Sequence, residues 1–267
     1  MQIPEDIASA LAATAPDRGV FGARLFYAAE VTSTNDLAAA AAERGDPEGT
    51  TFVAGAQTAG RGRLGRTWFS PPGAGLYIST IVRRRAVAPW LTLAGGVAVA
   101  AGIRAATGLP LQIKWPNDIV AVGGAGFRAR RKLAGILAEA SSGPDGLNYI
   151  VLGMGINLRH TAFPPELADR ATSIETELGR FVDGGLALAQ VLVALNRALA
   201  TIETSGSGPL RAQWTALAPS ATGSPIEFDG PGGPESGVTA GLAEDGALLA
   251  RTPRGLARII AGEVRWS

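Results

Sequence analysis

The chain has 267 residues, 46% of them hydrophobic and 18% charged, with a formal net charge of +1. That length suits one large or two small domains, and so small a net charge sets up no long-range field toward nucleic acid or an anionic membrane. Cysteine is absent and His160 is the single histidine, which excludes disulfides, thiolate metal sites, a thiol nucleophile and any site needing two imidazoles.

The segment 1–17 carries acidic residues and no basic stretch, so it does not read as a secretory signal. With no signal and no cysteine, the cytoplasm is the expected location. Thr32 to Asp36 precede an alanine-rich stretch, and Ser33 with Asp36 three positions on resembles a capping box, predicting a helix over about 34–43. Apolar strands are predicted at 51–56, 76–82, 111–114, 132–140 and 149–158, separated by Gly and Pro. Residues 86–103 form an uncharged run long enough for a membrane span. Pro89 at its front, Gly108 after its end and the helical spacing of Trp90, Leu93, Val97 and Ala101 predict a buried helix instead. Leu188, Leu192, Leu195, Leu199 and Ile202 mark an amphipathic helix. After the loops at 205–209 and 219–225 come only short strand-like runs, at 226–229, 237–242, 247–251 and 257–264, with Glu244-Asp245-Gly246 as a hairpin turn. The expected boundary near 218 gives domains 1–218 and 219–267. The first, with its mixed strands and helices, is an α+β or α/β domain, and the second a compact β-barrel resting on it.

Four segments carry chemistry. Ala59-Gly60-Arg61-Gly62-Arg63-Leu64-Gly65-Arg66-Thr67-Trp68 alternates glycine with arginine between two apolar strands. Glycine permits close backbone approach and arginine supplies forked donors to phosphate or carboxylate, so the loop suits a polyanionic nucleotide. It lacks the P-loop pattern. Gln112-Ile113-Lys114-Trp115-Pro116-Asn117-Asp118 delivers a lysine from a strand into a proline turn that presents Asn117 and Asp118. Lys114 can bind phosphate, and Asp118 can hold a metal ion or accept a proton from an amine. Lys132 opens the apolar strand that runs to Glu139, and Gly153-Met154-Gly155-Ile156-Asn157 combines two close-approach glycines with one polar side chain. Each of the last three has an ordinary reading alone: a capped turn, an edge lysine, a bulged core strand. Only Lys114 and Lys132 of the 24 basic residues are lysine, which marks them as positions needing a compact ammonium.

Together, in order and spacing, these segments with Ser33-Thr34-Asn35 and Gln57-Thr58 resemble the biotin protein ligase family, and the C-terminal Asp245-Gly246-Ala247-Leu248-Leu249 and Gly262-Glu263-Val264 resemble its small barrel. The resemblance covers nearly the whole chain. It implies a mixed-sheet α+β catalytic domain of the biotin/lipoate ligase type followed by an SH3-like domain. It implies an adenylate-forming ligase: biotin and ATP with Mg2+ give biotinyl-5′-AMP, and biotin then passes to a lysine of a biotin carboxyl carrier domain of acetyl-CoA carboxylase or a related carboxylase. By resemblance, Ser33, Thr34, Asn35 and Gln57 bind biotin, and Gly60, Arg61, Gly62, Arg63, Arg66 and Trp68 belong to the loop over the adenylate. Lys132 sits by the reacting carboxylate and α-phosphate, and Gly135 lets β backbone approach biotin. Lys114 and Asn157 face the nucleotide. Asn117 and Asp118 serve the triphosphate with its magnesium, or the incoming lysine; Lys132, Arg63, Lys114 and Asp118 form the catalytic set.

About 30 residues precede Ser33, too few for the DNA-binding domain that some members carry, so neither DNA nor a membrane is an expected partner; a homodimer stays open. The glycine-rich stretch 119–131 looks longer than the family's tight hairpin and reads as a surface extension or a flap near the carrier. Two rival readings stand beside this one. A lipoate–protein ligase would share the adenylate logic, and a nucleotide- or RNA-binding module would use the arginine loop alone.

Overall fold

The structure is a computed structural model, and it describes residues 2–122, 130–144, 146–160, 163–230, 232–260, 262 and 264–266. Most of the extension at 119–131 therefore lies outside the described residues. Seven strands form one sheet in the order β1-β2-β3-β7-β6-β5-β4: β1 (Leu25–Ala28), β2 (Thr51–Ala54), β3 (Gly75–Val82), β4 (Leu111–Lys114), β5 (Asp118–Ala121), β6 (Lys132–Gly143) and β7 (Gly146–Asn157). β1 and β2 are parallel and the other neighbours antiparallel, which makes the sheet mixed as expected.

The sheet's two faces have different fates because side chains alternate along each strand. One face carries Ile78, Ile136, Leu152, Met154 and Ile156, all buried. It packs under α3 (Leu91–Thr107) and α6 (Gly184–Ser205), with α1 (Glu5–Ala13) against α6. α3 is the helix predicted from the apolar run, and it ends at Gly108 with φ 79°. The segment Arg85–Thr107 and α6 are both long and apolar enough to cross a membrane, and most of each is buried inside the fold. The other face is covered only in part. Alanines 38, 41 and 42 of α2 (Thr34–Glu43) pack on Phe52, Ile81, Tyr149 and Val151. Small side chains let the helix lie close, and beyond its N-terminus this face is left open as a cavity.

α4 (Pro165–Ala168) and α5 (Ile174–Leu178) follow β7, and α7 (Gly208–Leu217) leads into the last five strands. These are β8 (Thr222–Gly230), β9 (Gly233–Leu242), β10 (Leu248–Thr252), β11 (Gly255–Ile259) and β12 (Val264–Trp266), in the antiparallel order β11-β10-β9-β8-β12. Among the described residues no ladder joins β11 to β12, so the small barrel is an open sheet. The run 257–264, read as one strand, is split: Gly262 at φ 107° turns the chain, and its two halves lie at opposite edges. Ile226, Phe228, Leu248, Ala250, Ile259 and Val264 belong to the same hydrophobic core as the large sheet. The small sheet thus rests on the larger body, whose helix α3 and turn residue Trp115 meet it at Gly246.

Candidate active site

A cavity of about 770 Å³ opens on the half-covered face of the large sheet. Its floor follows from register. Gly135 of β6, Gly155 of β7 and Tyr77 of β3 stand in one cross-strand row, and Leu137, Gly153 and Ser79 in the next. Two neighbouring glycines create the room that the indole of Trp68 fills. A Cβ on Gly155 would lie 2.6 Å from Trp68 Nε1 and Cε2, and one on Gly135 3.0 Å from its Cζ3.

Ser33, Thr34 and Asn35 reach the cavity from the start of α2 and are buried. The helix begins where the capping pattern placed it, but Ser33 makes no side-chain cap, and Asp36 turns outward to Arg61 at 2.6 Å. The signature marks the helix start correctly while its side chains serve the cavity. Gln57 accepts from Thr34 N (2.8 Å) and Thr34 Oγ1 (3.0 Å) and donates to Ser70 Oγ (3.1 Å).

The glycine–arginine loop forms the opposite wall. Arg61, Gly62, Arg63, Leu64, Arg66 and Trp68 all line the cavity. Gly60, expected among the binding residues, does not. Its place is structural: a Cβ there would sit 2.6 Å from the Trp68 carbonyl and 2.7 Å from Ser70 Oγ, where the two arms of the loop pass each other. Leu64, at the tip, holds φ 57° and is 68% exposed, so the loop carries a left-handed residue that is not glycine, a conformation costing about 1–3 kcal/mol.

The third wall is the β4–β5 turn and the start of β6. Lys114 and Asp118 pair across the hairpin, and the Trp115–Pro116 bond is cis. Lys132 Nζ lies 2.6 Å from Asp118 Oδ1 and 5.1 Å from the centre of the Trp68 ring. A register shift between Ile119 and Val120 brings Lys132 opposite Val120, and the segment 170–172 pins its backbone from the other side. Asn117, expected to serve the triphosphate or the incoming lysine, lines the cavity but commits its amide to protein. Its Nδ2 donates to the Ile136 carbonyl at 2.8 Å and its Oδ1 accepts from Arg63 at 3.3 Å. Asn157 is buried and donates to the Thr172 carbonyl at 2.9 Å.

Lys114, Lys132, Arg61, Arg63, Arg66, Arg130 and Arg170 all line one cavity, with Asp118 and Asp169 as its only acids among the described residues. Burial pushes the Lys114 ammonium below its ordinary value; Asp118 opposes this, and Lys132, Arg170 and Arg130 add to it. Burial likewise lowers Arg63, with Asp118 opposing. Hydrogen bonding to Asp36 raises Arg61, against burial and with help from Glu139. Crowded, partly desolvated cations are stabilised by an anion placed among them. Among the described residues no group of three or more His, Asp or Glu could cage a metal ion. Sequence reasoning missed Arg170, Asp169 and Phe163, which reach the cavity from the stretch after β7. Its polar composition gave no periodic signal.

Comparison with known proteins places this architecture. Residues 27–157 match the model of the Biotin/lipoate A/B protein ligase family. The bifunctional ligase/repressor BirA of Bacillus subtilis (strain 168) is 34% identical over 250 residues, spanning 92% of this chain and 74% of that protein. The biotin–[acetyl-CoA-carboxylase] ligase of Paracoccus denitrificans is 34% identical over 217 residues, 78% of this chain and 86% of its own. The solved biotin protein ligase from Aquifex aeolicus in complex with biotin and ATP superposes with a TM-score of 0.78 at 29% identity, covering 92% of this chain and 99% of the other. Similarity of this extent, in sequence over most of two curated ligases and in fold over nearly the whole chain, shows that the chain belongs to the biotin protein ligase family.

Proposed function

We propose that this ligase activates biotin with ATP as biotinyl-5′-AMP, releasing pyrophosphate, and passes biotin to the lysine amine of a biotin carboxyl carrier domain, releasing AMP. The observation that carries the reading is the position of Lys132, held between Asp118 and the Trp68 ring on the wall of a cavity rich in cations. The relative from Aquifex aeolicus was solved with biotin and ATP, and the Paracoccus relative is named for an acetyl-CoA-carboxylase acceptor.

In this reading the ureido end of biotin meets Thr34, Asn35 and Gln57, and its carboxylate points toward Lys132. The first step joins two anions, a carboxylate and an α-phosphate. Its barrier falls when fixed cations face the charge that gathers on the pentavalent phosphorus oxygens. Lys132, Arg63 and Lys114 supply them, and their shared desolvation is relieved by the triphosphate. No protein nucleophile is required, because the carboxylate attacks phosphorus and pyrophosphate leaves. Asp118, with Asp169 on the same cavity, would hold the magnesium that accompanies the triphosphate, an ion that commonly keeps several waters and takes only one or two protein carboxylates and that would neutralise phosphate charge. In the second step the carrier lysine attacks the mixed anhydride as a neutral amine. The amide bond forms as the bond between the acyl carbon and the AMP oxygen breaks, AMP leaves, and Asp118 is the base placed to accept the proton that the attacking nitrogen gives up.

The test is transfer. Purified protein, biotin, MgATP and a carrier domain are incubated, and the carrier is analysed by peptide mass spectrometry. Biotin on a single lysine is expected. A carrier left unmodified while pyrophosphate and biotinyl-5′-AMP accumulate would refute the second step.

A further inference from the structure

The polar side chains beneath the glycine–arginine loop form a circuit that starts and ends in that loop. Arg61 NH2 donates to Glu139 Oε2 at 3.1 Å, and Asn35 Nδ2 donates to the same oxygen at 2.5 Å. Ser79 Oγ lies 2.5 Å from Asn35 Oδ1 and 2.7 Å from Thr34 Oγ1, with its proton directed to them. Thr34 donates to Gln57, Gln57 to Ser70 Oγ, and Ser70 Oγ to the Trp68 carbonyl at 3.1 Å. Arg61 and Trp68 stand at the two ends of the loop, so the circuit leaves it, crosses the cavity floor and returns. Arg61 has a second tie, to Asp36 at 2.6 Å.

Glu139 is not itself a cavity-lining residue. It lies on β6 two positions beyond Leu137, on the same face, just past the floor. One of its oxygens serves a guanidinium from the loop and an amide from the start of α2. Only a carboxylate both accepts from two donors at once and attracts the cation. We propose that Glu139, assisted by Asp36, is a positioning residue. It fixes Arg61, and with it the loop, in register with Asn35 and Thr34, so that the ligand-binding side chains and the loop that covers them move as one unit. The role in catalysis rests on the reading of the cavity as the site of biotin adenylation; the tie between loop and floor does not.

The exposure of the group separates this role from a structural one. The side chains of Arg61, Asp36 and Glu139 are 40%, 52% and 41% exposed, and ion pairs that open to water add little to global stability. The effect belongs to local loop order.

Trypsin reads that order directly, since Arg61, Arg63 and Arg66 are cleavage sites within the loop. Glu139→Gln keeps the shape and an acceptor for Asn35 but removes the charge. In ligand-free protein it is expected to raise cutting at those three sites about fivefold, with an unchanged melting temperature. Asp36→Asn should raise cutting by a smaller factor. The rate of biotinyl-5′-AMP formation should fall by a similar factor in Glu139→Gln and recover in part in Glu139→Asp. Loop cutting at the wild-type rate would overturn the proposal. So would acceleration spread over the whole chain, which marks loss of fold, or faster loop cutting with an unchanged adenylation rate. A wild-type protein that makes no biotinyl-5′-AMP would sink the functional reading, while the digestion still decides whether Glu139 holds the loop.

Discussion

Lys132 and Lys114 share a cavity but differ in surroundings. Lys132 is half-exposed, held by Asp118 and facing the Trp68 ring on the wall of the cavity. Replacing it with alanine should slow biotinyl-5′-AMP formation by about 10²- to 10³-fold, the usual consequence of losing one preorganised charge, as single-turnover rates would show. Lys132→Arg should not restore the rate fully, because a planar fork cannot take the place of a compact ammonium between Asp118 and the indole. Lys114 is more desolvated, and burial with its cationic neighbours lowers its pKa below the usual 10.5. The sign follows. As pH rises, Lys114 loses its proton earlier than a free lysine, the cavity loses one positive charge, and the KM for ATP should climb. Lys114→Arg should shift that climb to higher pH, and a KM profile identical in the two proteins would show that Lys114 does not face the nucleotide.

Glycines 135 and 155 matter as members of strands, since adjacent register makes them one platform under Trp68. Gly155→Ala puts a methyl group into the indole. Overpacking of this kind costs about 1–3 kcal/mol, so the melting temperature should fall by a few degrees and the Kd for biotin should rise at least tenfold, checked by calorimetry and thermal unfolding. The same elements show what the sequence made legible. α2 and β4 fall on their predicted limits, and α3 ends before Gly108 as expected, but it begins at Leu91, five residues into the apolar run, because Pro89 lies in a 3-10 turn ahead of it. Residues placed by motif, from Ser33 to Asn157, meet around one cavity, with Gly60 the exception. What stayed hidden depends on tertiary partners. β1 is a four-residue strand whose Phe26 stays exposed, and β5 was absorbed into a glycine-rich stretch. Glu139 read only as the last residue of the apolar strand that Lys132 opens, and its role needs Arg61, distant in sequence, and Asn35 to be seen together.

At the scale of the molecule, the small C-terminal sheet, α3 and the β4–β5 turn meet at one point. Trp115, 4% exposed, donates to the Gly246 carbonyl at 3.4 Å, and Gly246 abuts Leu93 and Trp90. Its neighbours Lys114 and Asp118 carry the site's charges, so packing of the small sheet supports their position. Trp115→Ala should cost about 3–5 kcal/mol, measured as a shift of the denaturation midpoint, and should lower activity even in the fraction that stays folded. The central claim is that the cationic cavity joins biotin, and not another carboxylic acid, to AMP. The most direct measurement incubates the protein with MgATP and either biotin or lipoate and follows pyrophosphate release together with the mass of the adenylate. The account predicts stoichiometric pyrophosphate and biotinyl-5′-AMP with biotin and neither product with lipoate; lipoyl-AMP without biotinyl-5′-AMP, or no pyrophosphate with either acid, would contradict it.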